Sequence, residues 1–232
     1  MGRKTKSKVR VWIALLLLAG VIAAGAYAWW ASRQWEPARA EYPVQGVLTG
    51  EAEGIIDLSA LRTARADFVY LEASRGEEGR DAVFGRNLAA LAGSGIRHGA
   101  VHVYDPCVPA DRQAANFVTI VPRDPDLLPP AIALGKLASE CGDPVLEAAM
   151  ESELTTFINQ VEGHAGQPVV LKVSPAFEEA TRIATRIERN LWLESDFVEP
   201  DYAGRPWTLW TANSRAINPA NGQPMRWVVV QN

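Results

Sequence analysis

The chain has 232 residues and a formal net charge of -4, and its basic residues are most concentrated in the first ten positions. The remainder is therefore more acidic than the total suggests, and it lacks the basic footprint that nucleic-acid binding requires. The length leaves room for one domain with a substantial core after an N-terminal segment is set aside.

The N-terminal segment predicts one transmembrane helix. Residues 1–10 hold five Lys or Arg residues, and residues 11–31 hold no charged side chain. The uncharged run spans roughly 31 Å as a helix, close to the ~30 Å hydrocarbon core of a bilayer. Because Lys and Arg resist translocation, we expect a single pass through the inner (cytoplasmic) membrane, with residues 1–10 cytoplasmic and the rest periplasmic or otherwise extracytoplasmic. A cleaved signal peptide remains open, because Ala26-Tyr27-Ala28 has the small-x-small form of a cleavage site.

A polar linker is expected over residues 32–41 and one domain over residues 42–232. Two cysteines of this domain, Cys107 and Cys141, lie 34 positions apart, without the paired spacing of a zinc site. Given the predicted topology, they are expected to form one disulfide in an oxidising compartment or to remain as two buried thiols.

The sequence of this domain predicts an α/β fold, because short β-rich runs alternate with helical patterns. Eight candidate strands are residues 44–48, 68–72, 99–104, 131–134, 169–173, 191–194, 207–212 and 227–230. Helical patterns cover residues 84–95, 112–121, 146–161 and 176–189, and residues 213–222 read as a loop. Because helices become scarce towards the C-terminus, we expect a small irregular (β/α) TIM-like barrel, with an open doubly wound sheet as the alternative.

Several stretches follow one another in the order of a known family. They are Gly54-Ile55-Ile56-Asp57, residues 67–76, Gly99-Ala100-Val101-His102-Val103-Tyr104, Gln113-Ala114-x-Asn116-Phe117, Leu128-Pro129-Pro130, Pro168-Val169-Val170, Leu191-Trp192 and Trp207-x-x-Trp210. The series resembles glycoside hydrolase family 25, the lysozyme-like muramidases that cleave peptidoglycan. The likeness covers nearly the whole domain and implies that family's barrel. Cys107 and Cys141 also look like a pair seen in proteobacterial members.

The resemblance fails where the family places its catalytic acids. The family's Gly-Ile-Asp-Val-Ser strand is matched by residues 46–50, with Leu48 in place of Asp. The Pro-Pro-x-x-Asp-Leu-Glu strand is matched by residues 129–135, with Ala133 and Gly135 in place of both acids. The Val-Asp-x-Asn segment is matched by residues 225–228, with Arg226 in place of Asp. Because glycan cleavage needs carboxyl groups at the scissile bond, the resemblance implies a barrel without hydrolysis.

Relocated carboxylates are the alternative source of activity. Glu72 and Asp105 lie near predicted strand ends, and Glu72 stands where the family is usually basic. Glu51, Glu53 and Asp57 follow the first strand. These acids are expected either to be surface and turn residues or to form a new acid pair.

Binding residues are expected at the barrel mouth. The groove candidates are His102, Tyr104, Trp192 and Trp210. Four tryptophans of the domain are expected either to stack on sugar rings or to belong to the core: Trp192, Trp207, Trp210 and Trp227. His98 and His102 lack a third ligand nearby, so no metal is expected. Neither a Gly-x-Ser-x-Gly elbow nor a phosphate-binding glycine loop occurs in the sequence, so we expect no cofactor.

The leading hypothesis is therefore a membrane-anchored periplasmic pseudoenzyme that binds peptidoglycan or an envelope protein. An active peptidoglycan muramidase that uses Glu72 and Asp105 is the alternative.

Overall fold

The computed structural model describes residues 3–231, with side chains from Trp12 onwards. It divides into two compact units, Met1–Trp35 and Glu36–Asn232. The first unit is a helix, α1, over Arg3–Gln34. Within it, Trp12–Gln34 is long and apolar enough to cross a membrane, and its apolar side chains are exposed. The side chains of the predicted basic tail, residues 1–10, lie outside the described ones.

The second unit is a barrel. Its strands are β1 Gln45–Thr49, β2 Phe68–Arg75, β3 Gly79–Arg80, β4 Arg97–Val103, β5 Ala131–Leu134, β6 Val170–Val173, β7 Asn190–Glu194, β8 Leu209–Ile217 and β9 Pro224–Val230. Its helices are α2 Leu58–Thr63, α3 Phe84–Leu91, α4 Ala110–Ile120, α5 Glu147–Ala165, α6 Pro175–Thr181 and α7 Ile183–Arg186, with a 3₁₀ turn at Ala138–Glu140. No helix follows β7 in the described chain.

Eight strands close the barrel in the order β1-β9-β8-β7-β6-β5-β4-β2, and β2 pairs again with β1. The pairs are parallel except β8 with β9 and β9 with β1, which are antiparallel. At the closure, a Cβ on Gly46 would lie 2.4 Å from the carbonyl oxygen of Phe68. Only glycine fits there, so Gly46 allows β1 to approach β2. The barrel prediction is thereby confirmed, and the open sheet is ruled out.

The barrel has an inner and an outer core. Alternate strand residues point inwards and form one cluster: Leu48, Phe68, Tyr70, Val101, Ala131, Val170, Trp192, Leu209 and Val228. The outward residues of the strands pack under the helices, which bury Leu91, Phe117, Phe157 and Phe177. Local capping sets helix starts: the Asp57 carboxylate accepts hydrogen bonds from the backbone N–H groups of Ser59 and Ala60 before α2.

Three sequence expectations are corrected. β8 continues to Ile217, so residues 213–217 form the arm of a hairpin rather than a loop, because a two-stranded ribbon tolerates polar residues on its exposed face. The helical pattern at 176–189 is split by Arg182, whose φ of 52° is left-handed. Of the expected linker 32–41, residues 32–34 are helical, Pro37 is buried, and the Arg39 guanidinium donates to Asp67 at 2.9 Å.

Candidate functional site at the barrel mouth

The mouth is the end of the barrel at which the parallel strands finish. Because β9 runs antiparallel, its first residues reach the same end, and Arg226 pairs in register with Leu48 of β1. On the other side of the barrel, Ala133 of β5 pairs in register with Lys172 of β6. Two cations therefore stand beside positions 48 and 133.

Arg226 joins three elements at this mouth. Its Nη1 lies 2.5 Å from Glu72 Oε1 of β2, and its Nη2 lies 2.8 Å from Glu53 Oε2 in the loop after β1. Glu53 Oε2 also accepts a hydrogen bond from the backbone N–H of Gly50 at 2.7 Å. Burial by itself lowers the pKa of Arg226, but the charges of Glu72 and Glu53 outweigh it, so the pKa is raised. The cluster thus fixes a charged guanidinium between two carboxylates within the mouth.

Two further carboxylates at the mouth are engaged by lysines. Asp105, after β4, accepts two hydrogen bonds of 2.9 Å from Lys136 Nζ, which follows β5. Glu194 of β7 pairs with Lys172 of β6, whose side chain is only 9% exposed and lies against the Trp192 ring. Each ion pair joins the ends of two neighbouring strands. The fallback candidates Glu72 and Asp105 are thus both salt-bridged to cations.

The aromatic candidates are placed away from solvent. Trp192 is 0% exposed in the inner core, where its Nε1 donates to Thr211 Oγ1 at 2.8 Å. Trp207, Trp210 and Trp227 are buried as well. Of the two alternatives for the tryptophans, burial favours the core: Trp192 lies in the inner cluster, and Trp207 and Trp210 are packed against Tyr42.

His102 and Tyr104 are also buried, so their expected place in a groove is corrected. The His102 ring is 0% exposed; its Nδ1 lies 2.8 Å from Ser74 Oγ and its Nε2 3.3 Å from Gln113 Oε1. Burial lowers the pKa of His102 to about 4, against a weaker opposing effect of the Gln113 hydrogen bond. Tyr104 packs against Phe157, and burial raises its pKa. The described residues hold no group of three metal-ligating side chains.

The cysteines form the expected disulfide. Cys107 in the loop after β4 is bonded to Cys141, which follows the 3₁₀ turn after β5, with the two Cα atoms 5.3 Å apart. The disulfide joins the same two strand ends as the Asp105–Lys136 ion pair.

Comparison with known proteins assigns the family. The family model "Glycosyl hydrolases family 25" matches residues 50–217, which is more than half of the chain. The chain belongs to glycosyl hydrolase family 25.

Individual relatives are distant. The chain is similar to the uncharacterized protein YegX of Escherichia coli, with 23% identity over 194 residues that cover 79% of this chain and 68% of YegX. Its fold is similar to a family 25 glycosyl hydrolase from Bacillus anthracis, with a TM-score of 0.78, 24% identity, and 86% and 93% of the two chains covered. It is also similar to the bacterial lysozyme of Streptomyces coelicolor, with a TM-score of 0.70, 19% identity, and 82% and 92% covered.

That Leu48, Ala133, Gly135 and Arg226 stand at the family's acid positions, and Glu72 at a basic one, stays a prediction from the sequence resemblance. The structure shows that Glu72 and Arg226 form an ion pair.

Two charged residues of the mouth, Glu53 and Lys172, have partners that the sequence does not predict. Glu53 is expected as a surface or turn acid or as part of a new acid pair, and it is bound to Arg226 instead, whereas Lys172 pairs with Glu194. Lys172 did carry a signal, because it is the one charged residue in the apolar run 169–173. A charge in the middle of such a strand indicates a partner on a neighbouring strand.

Proposed function

We propose that this protein is a membrane-anchored family 25 domain that binds its target in the envelope and does not hydrolyse glycan. The observation that carries the proposal is the Arg226 cluster: a guanidinium bound to Glu53 and Glu72 stands beside Leu48, where the family pattern has an acid.

The chemistry explains why this arrangement opposes hydrolysis. Cleavage of a glycosidic bond needs a proton donor for the leaving oxygen and negative charge near an oxocarbenium-like transition state. The Arg226 guanidinium engages both Glu53 and Glu72, so neither stands as an unpaired acid or base, and loss of one general acid or base typically costs about 10²–10⁴ in rate. Glu72 and Asp105, the relocated alternatives, are each paired with a cation.

The location follows from the N-terminus. An apolar helix preceded by basic residues supports a retained signal anchor in the inner membrane, with the barrel in the periplasm. The Cys107–Cys141 disulfide fits an oxidising compartment outside the cytoplasm.

The target is cell-wall glycan or an envelope protein. Burial of Trp192, Trp207, Trp210 and Trp227 removes the stacking faces that a sugar would use, which favours a protein partner.

A cleavage assay tests the proposal. The full chain, in detergent micelles, is incubated with purified peptidoglycan, and released reducing ends are measured with the Bacillus anthracis family 25 hydrolase as positive control. We expect no release above buffer. Release that disappears in Glu72→Gln or Asp105→Asn, but not in the matched surface variant Glu140→Gln, would establish the active muramidase instead.

Binding is measured separately. Cosedimentation of the same preparation with insoluble peptidoglycan, compared with crosslinking in cells, distinguishes a wall ligand from a protein partner.

A further inference from the structure

The β8–β9 hairpin projects beyond the barrel. β8 pairs with β7 only as far as Thr211, whereas its residues from Asn213 to Ile217 pair with β9 alone. The hairpin arm and turn, residues 213–225, lie between the loop after β1 (residues 50–57) and the loop after β7 (residues 195–200). We call these three segments together the crest.

The crest is held in place from the β1 side. Gln223 Nε2 donates to the carbonyl oxygens of Glu53 and Ile55, at 2.7 Å each. Asn87 of α3 supports the same loop, because its Oδ1 accepts from the Ile56 N–H at 3.0 Å and its Nδ2 donates to the Gly54 carbonyl at 3.1 Å. The loop is therefore fixed by a hairpin on one flank and a helix on the other.

The crest is equally held from the β7 side. Asp196 accepts hydrogen bonds from the Ser214 N–H at 2.7 Å and the Ser214 hydroxyl at 3.0 Å, and it pairs with Arg215 at 3.3 Å. Phe197 follows with a φ of 70°, a left-handed conformation that is rare for a bulky residue. Such a conformation persists because these surrounding contacts impose it.

This rigid frame presents apolar side chains to solvent. Val198, next to the strained residue, is 67% exposed, and Ile55, beside the Gln223 contacts, is 47% exposed. Because the backbone that carries them is held in advance, little backbone conformational entropy is lost on binding, so these side chains serve as anchors for a partner.

The charge of the crest defines the partner. Its carboxylates are Glu51, Glu53, Asp57, Asp196 and Glu199, against one base, Arg215. Glu53 shares Arg226 with Glu72, and Asp196 is paired with Arg215, while Glu51, Asp57 and Glu199 are exposed. A complementary surface carries Lys or Arg beside an apolar pocket.

We propose that the crest is the docking surface for an envelope protein that offers a basic segment flanked by apolar side chains. This rests on the proposed function, because it specifies the partner class of the same non-hydrolytic domain.

Site-specific photocrosslinking tests the inference. A photoreactive amino acid is placed in the full chain, in its native membrane, at Ile55, Val198 or Asn221, and at the exposed control positions Val118 of α4 and Thr156 of α5. We expect the crest positions to crosslink one common protein at about tenfold higher yield than the controls. Mass spectrometry of the crosslinked peptide should find Lys or Arg next to apolar residues.

Charge variants supply the second measurement. Glu51→Gln combined with Glu199→Gln should lower the crosslink yield about threefold or more, whereas the exposed pair Glu179→Gln and Glu188→Gln should leave it unchanged. Equal yields at crest and control positions, an acidic crosslinked peptide, or capture of glycan alone would overturn the inference. Those outcomes leave the proposed function intact, which only the cleavage assay can overturn.

Discussion

At the scale of single residues, Arg226 has the strongest effect on the mouth. Its guanidinium reaches two carboxylates from different elements, and its side chain is only 19% exposed. A partly buried cation of this kind is stable only with its partners, because desolvation is otherwise uncompensated. Glu53 and Glu72 therefore hold the Arg226 guanidinium in the mouth.

Arg226→Met should lower the free energy of unfolding by about 2–4 kcal/mol, because Glu53 and Glu72 are left as partly buried anions without a counterion. Urea unfolding followed by tryptophan fluorescence measures this. Addition of Glu53→Gln and Glu72→Gln to Arg226→Met should restore part of the loss. A single variant as stable as the natural chain would show that the cluster contributes nothing.

The lowered pKa of the buried His102 leads us to expect that the stability of the fold depends on pH. Its folded pKa of about 4 lies below the unfolded value of 6.5, so the folded state binds the proton more weakly. The stabilisation is therefore present above about pH 6.5 and is lost as the pH falls towards 4, by up to about 3 kcal/mol. Urea unfolding between pH 7.5 and 4.5 should give a steeper loss for the natural chain than for His102→Asn. Parallel pH profiles would contradict the assignment.

At the scale of elements, the strand ends at the mouth are connected in pairs. The disulfide and the Asp105–Lys136 ion pair join the segments after β4 and β5, and the Lys172–Glu194 pair joins β6 to β7. Such links restrict the loops that follow the strands, which in an open-mouthed barrel are its most mobile parts.

Removal of the disulfide should be costly. The bond closes a loop with a sequence separation of 34, so the double variant Cys107→Ser and Cys141→Ser should be less stable by roughly 3–4 kcal/mol. Thermal unfolding under non-reducing conditions measures the change. The natural chain treated with reductant serves as the matched comparison and should fall to the same midpoint; a midpoint unaffected by both treatments would refute the prediction.

At the scale of the whole molecule, charge is divided along the chain. All 27 Asp and Glu residues follow Trp35, whereas six of the 23 Lys and Arg residues precede it, so residues 36–232 carry a formal net charge of -10. A basic leader, an apolar helix and an acidic domain fit an anchor whose globular part faces away from the cytoplasm.

Retention of the anchor can be measured directly. We expect the intact mass of the protein from native membranes to include residues 1–28. We also expect the protein to stay in the pellet after alkaline carbonate extraction, because an apolar helix of 23 residues partitions into the bilayer. A mature N-terminus at Trp29 with release into the soluble fraction would show a cleaved signal peptide.

The sequence by itself determined the parts of this protein that depend on local pattern. The 131–134 strand was predicted with the bounds of β5, and the apolar N-terminal run and the order of the eight barrel strands followed from periodicity and composition, whereas the short β3 and α2 were not predicted from those patterns. That positions 48, 133, 135 and 226 correspond to the family's acid sites stays a prediction from the sequence resemblance.

Only the tertiary structure decided which charges meet and which aromatic faces are covered. Arg226 lies 154 positions from Glu72 and 173 from Glu53, and no local pattern connects them. Trp192 points into the barrel and is inaccessible because the strands close around it. His102 points outwards and is inaccessible because α5 packs over it through Phe157. Burial and ion pairing depend on strands that are distant in the chain, so they emerge only when β1 meets β2 and β9.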